Sequence, residues 1–117
     1  MKVVYKEIFK LKVMLDKANI PYEFLDRSLI TEKFERPFYQ IIVCNPHEDN
    51  VEDPIRLISV IQGVGTYGAD QDLLEIQGCL TKREGKEDSV KGYLTATNVF
   101  MRIKKNYNYK GYTKGDK

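Results

Sequence analysis

Two runs of strand-forming residues, joined by an acidic loop, constrain this chain more than any other feature. Pro37 to Cys44 carries Phe38, Tyr39, Ile41, Ile42 and Val43, the β-branched and aromatic types that suit a pleated, half-buried surface. Ile55 to Gln62 carries Ile55, Leu57, Ile58, Val60 and Ile61 in a near-continuous apolar run, the pattern of a central strand covered on at least one face. Between them, Asn45 to Pro54 holds Glu48, Asp49, Glu52 and Asp53 with no lysine or arginine. Such a pair of strands needs amphipathic partners to cover it.

Those partners are legible on both sides. Val4, Ile8, Leu11 and Leu15 recur at helical spacing, Lys2, Lys6, Lys10, Lys12 and Lys17 fill much of the remaining surface, and Pro21 ends the helix. Tyr22 to Asp26 reads as a short strand. The glycine-rich turn Gly63 to Gly68 is expected to lead into a helix from about Asp70 to Leu80, with Leu73, Leu74, Ile76 and Cys79 on its apolar side. Thr81 to Asp88 reads as a charged surface loop, and Val90 to Leu94 as a short strand or an extended lead-in. The last helix is the best signalled. Thr95 is its N-cap, Leu94 and Val99 form a hydrophobic staple, and Val99, Phe100, Ile103 and Tyr107 make its packing face. The expected architecture is α+β: an N-terminal helix, a three-stranded, mainly antiparallel sheet and two C-terminal helices in one domain over residues 1–109. A flexible basic tail follows over 110–117.

Composition limits the classes of function. The chain has 117 residues, enough for one core and too few for two. Its apolar and charged fractions, 42% and 31%, are those of a globular protein, and its formal charge is only +2. Overall charge therefore gives no sign of a nucleic-acid binder. No continuous apolar stretch marks a leader or a membrane span. Cys44 and Cys79 sit in apolar company and read as buried thiols in a reducing cytosol. A cytoplasmic protein is expected, with no cofactor and no membrane partner.

Several patterns carry candidate chemistry. Gly63-Val64-Gly65-Thr66-Tyr67-Gly68 has the GxGxxG spacing, whose glycines let backbone amides approach a pyrophosphate. Asp70 and Asp72 would repel that phosphate, and the repeated βαβ units of a dinucleotide domain are missing. The loop thus reads as a tight connection, or as a ligand-facing loop in which Thr66 and Tyr67 offer hydroxyls and a stacking ring. Arg102, Lys104, Lys105, Tyr107 and Tyr109 interleave cations with tyrosines, which suits a nucleic-acid backbone, an acidic protein surface or simply a cationic helix end. Glu48, Asp49, Glu52 and Asp53 are the matching acidic candidates for partner contact. Cys44 and His47 have C-x-x-H spacing, but no second histidine exists to complete a zinc site and no third group orients a Cys–His pair. Glu84-Gly85-Lys86 has a nuclease-like spacing outside any expected strand. With no catalytic or metal-ligating set, the chain reads as a binder and not as an enzyme.

A longer pattern adds a resemblance. Gly65-Thr66-Tyr67-Gly68, Asp72-Leu73-Leu74-Glu75-Ile76 with Gly78, Leu80 and Thr81, Asp88-Ser89-Val90, Gly92-Tyr93-Leu94-Thr95-Ala96, and Val99-Phe100 with Arg102-Ile103 resemble a family of short phage and prophage proteins of Gram-positive bacteria. The stretch runs from about Ile58 to Lys105, about two fifths of the chain. Ala69 departs from the second glycine usual after that turn. The resemblance implies an accessory role in host takeover or counter-defence, exerted by binding: inhibition of a bacterial defence protein such as a CRISPR nuclease. Its alternatives are a sponge for a nucleotide immune signal, which would favour a symmetric oligomer, and a small phage assembly protein. Nucleic acid remains a candidate partner of the basic C-terminus.

Overall fold

The computed structural model describes residues 4–47 and 55–108. Helix α1 (Glu7–Lys17) is followed by strands β1 (Glu23–Asp26), β2 (Leu29–Ile30), β3 (Glu35–Arg36), β4 (Phe38–Cys44) and β5 (Arg56–Gly63). A one-turn 3-10 helix (Ala69–Gln71) leads to β6 (Leu74–Gln77), helix α2 (Lys82–Glu87), β7 (Lys91–Leu94) and helix α3 (Ala96–Tyr107). Five strands form an antiparallel sheet in the order β1-β4-β5-β6-β7, and β2 with β3 forms a separate hairpin.

The fold is α+β as expected, with two corrections. The sheet has five strands and not three: residues 70–80 form no long helix and supply β6, and Lys91–Leu94, expected as a short strand or an extended lead-in, is β7. Leu74 and Ile76 are buried at strand alternation, in β6, while Asp72, Gly78 and Cys79 take left-handed backbone that breaks any helix through them. The second correction is α2, which replaces the expected charged loop. Thr81 Oγ1 accepts from Glu84 N and Glu84 Oε1 accepts from Thr81 N, a capping box that supports one short helix.

Both long helices cover one face of the sheet. Ile8, Leu11 and Leu15 of α1 and Val99 and Ile103 of α3 meet Ile41, Val43, Ile58, Val60, Leu74 and Ile76 from alternate positions of β4, β5 and β6. Burial of each such side chain stabilises by about 1.5–3 kcal/mol. On the opposite face Gln40 donates to Ser59 Oγ across β4 and β5 at 2.8 Å. Among the described residues no helix is long and apolar enough to cross a membrane.

The cap of α1 is tertiary. Lys6 stands at its N-cap with no side-chain cap of its own. Asp72 Oδ1 instead accepts from Lys6 N at 2.9 Å and Glu7 N at 3.2 Å, and buried Gln62 Oε1 accepts from Ile8 N at 3.2 Å. Gln62 Nε2 closes the set by donating to Asp72 Oδ1 at 2.7 Å. At the neighbouring start of α3, Ala96 N donates to Glu7 Oε1 at 2.7 Å, beside the local Thr95 cap on Asn98 N. Each helix start is thereby tied to a distant segment, which fixes both against the sheet.

Candidate binding end of the sheet

Register places the connections. Phe38 pairs with Gly63, Ile61 with Glu75 and Leu74 with Leu94, so β4 and β6 begin, and β5 and β7 finish, at the same end of the sheet. That end carries the β2–β3 hairpin, the glycine loop of residues 64–73 and Tyr93. The start of α1 joins them through Asp72.

Exposed apolar side chains gather there. Of the eleven large ones exposed among the described residues, seven belong to this end: Val4, Leu29, Ile30 and Phe34, then Val64, Tyr67 and Tyr93. Ile30 is 71% exposed. The hairpin is built around Thr31, whose Oγ1 accepts from Lys33 N and Phe34 N, and Thr31 N bonds Phe34 O at 2.9 Å. Every residue from 29 to 36 is exposed, so the hairpin adds nothing to the core. No sequence signal marks Leu29, Ile30 or Phe34 as exposed, since apolar residues beside a strand ordinarily signal burial.

The glycine loop bonds several of its own amides. Gly63 N donates to Thr66 Oγ1, Thr66 N to Gly63 O and Tyr67 N to Glu75 Oε1. Ala69 N bonds Thr66 O, Gln71 N and Leu73 N both bond Gly68 O, and Asp72 N bonds Ala69 O. Gly65 and Gly68 supply the left-handed backbone that this winding needs. A strand, not a long helix, follows the loop, so it lacks the helix N-terminus of a pyrophosphate site. Beside it lies an open cavity of about 820 Å³ whose wall includes Tyr5, Thr66, Asp70 and Asp72. Burial, and behind it the carboxylates of Asp72 and Asp70, hold the Tyr5 hydroxyl above its ordinary pKa. Of the residues that line it, Asp70 and Asp72 are acidic and none is cationic.

The remaining candidates are dispersed. Arg102 is engaged within the chain: its two terminal nitrogens donate to Glu84 Oε1 and Oε2 at 2.8 and 2.9 Å, and Nε donates to Asn98 Oδ1 at 2.7 Å. Lys104 and Lys105 are exposed on the last turn of α3. Tyr107 is half-buried against the core, and its carbonyl accepts from His47 Nε2 at 3.0 Å. Cys44 is exposed, contrary to the expected buried thiol, because the strand register shifts after Val43 and ends the covered run. Cys79 is half-buried beside Leu57 O, and burial pushes its thiol up to about 11 although the Arg102 cation opposes this. Glu48, Asp49, Glu52, Asp53 and Tyr109 lie outside the described residues. Among the described residues no group of His, Cys, Asp and Glu side chains is placed to hold a metal ion. Compared with known protein families, with curated proteins and with solved structures, the chain shows no match.

Proposed function

We propose that this protein acts by binding another protein through the end of the sheet that carries the β2–β3 hairpin and the glycine loop. The observation that carries the reading is the segregation of exposed apolar side chains to that end. Scattered exposed leucines need no explanation, whereas a contiguous group on a hairpin that buries nothing at home has no use in the fold itself. Ordering that hairpin costs backbone entropy on the order of 1 kcal/mol per residue, which contact with a partner would offset. The purpose follows the phage-family resemblance: a cytoplasmic, non-enzymatic counter-defence protein whose partner is a bacterial defence protein.

The sponge alternative is less well supported. Its cavity has the volume for a small molecule, but Asp70 and Asp72 on its wall repel an anion and no long helix follows the loop to offset them.

Restriction in living cells tests the proposal. Expressed in a bacterium whose CRISPR nuclease destroys an incoming plasmid, the protein should restore transformation. Ile30→Asp with Phe34→Asp should abolish that gain, since charges at a contact centre cost about 2 kcal/mol or more each, roughly thirtyfold in affinity. Restriction left intact across a panel of nuclease-based defences would contradict the counter-defence purpose. A fully active double variant would contradict the assigned contact end.

A further inference from the structure

Two motifs separated in sequence interlock at this end. A Cβ at Gly92 would stand 2.2 Å from Tyr67 Cβ, and one at Gly68 would stand 2.9 Å from Tyr93 N and Cα. Only glycine lets the two backbones come so close, and Tyr93 N donates to Tyr67 O at 3.2 Å across the contact. Tyr93 itself holds φ at +61°, a left-handed conformation that an aromatic residue keeps only where its surroundings impose it. Yet Tyr93 is 57% exposed and Tyr67 53%. A glycine or asparagine would serve that backbone with less strain, and a ring left in water returns little burial. Among the described residues nothing buries the ring to offset that strain.

Both tyrosines line a recess of about 220 Å³ with Glu87, Asp88 and Lys91. Glu84, also on its wall, is held by Arg102. The volume fits the head of one side chain and is small for a nucleotide. Aromatic faces are electron-rich, and the carboxylates of Glu87 and Asp88 outnumber the single ammonium of Lys91, so the recess favours a cation over an anion. We propose that the recess between Tyr67 and Tyr93 receives an arginine or lysine side chain of the partner protein. This rests on the binding function proposed above and names the chemistry of the partner's anchor.

The test needs no identified partner. N-acetyl-arginine methylamide, titrated into 15N-labelled protein, should shift the amides of Gly68, Lys91 and Gly92 with a dissociation constant in the millimolar range, on the order expected of a single-residue probe. The citrulline analogue, equal in shape and uncharged, should leave them unmoved. Tyr93→Gly should weaken arginine binding about fivefold, the loss of one cation–π wall, while raising the melting midpoint as strain is relieved. Tyr67→Leu is the second variant should Tyr93→Gly not fold, and Lys91→Gln should tighten binding. No shift with arginine, equal shifts with citrulline, or full arginine binding in the tyrosine variants would overturn the assignment. Because the defence readout depends on the hairpin, failure here is separable from failure of the function.

Discussion

At Glu84 one carboxylate closes the capping box of α2 and also takes both terminal nitrogens of Arg102. The Arg102 hydrogen bonds, then that from Thr81 N, pull its pKa down from 4.5 to about 2. The folded state therefore binds this proton less readily than the unfolded chain does. The resulting stability is present above 4.5 and is lost as pH falls through that range toward 2. Urea midpoints measured near neutrality and at the acid end of that window should show the loss, and Glu84→Gln should remove this share of it. The same geometry explains why Arg102 was ambiguous as a sequence feature. Its charge belongs to the cationic end of α3, but its partner sits on a segment whose capping box, Thr81-x-x-Glu84, is itself a readable sign of a helix start.

Among the elements, α1 depends on a cap from a residue far along the chain. Asp72→Ala would take the acceptor from Lys6 N and Glu7 N and leave Gln62 Nε2 only Leu73 O at 3.5 Å, a loss of about 2 kcal/mol in urea unfolding. Asp72→Asn keeps the acceptor and suits the left-handed backbone, so it should cost under about 1 kcal/mol. An Asn variant as damaging as the Ala variant would show that the charge, not the acceptor, matters. No periodicity predicts such a cap, which is why the sequence signalled α3, with its local Thr95, better than α1. Strands β4 and β5 were legible for the same reason of locality: their apolar runs are long and rich in strand formers. Leu73, Leu74, Ile76 and Cys79 were not, because a short apolar run fits a helix face as well as a strand. Only the left-handed turns at Asp72, Gly78 and Cys79 decide between them, and at Gly78 the backbone passes close against Leu57 and Ile58 of β5.

Across the described residues as a whole, the core lies under two helices and most of the exposed large apolar side chains lie at one end of the sheet. The candidate loop of glycines was legible in the sequence, but its role was not, since spacing alone does not say whether amides point outward or inward. The hairpin's role is not legible in the sequence, because exposure is a property of the assembled sheet and not of Leu29, Ile30 or Phe34 themselves. The central claim is that these side chains serve a partner and not the fold, and urea unfolding of the Ile30→Asp, Phe34→Asp double variant tests it most directly. The account predicts a free energy of unfolding within about 0.5 kcal/mol of the unmodified protein, the ordinary range for surface substitutions. A loss of about 2 kcal/mol or more would contradict it by showing that the hairpin's apolar residues hold the protein's own structure together.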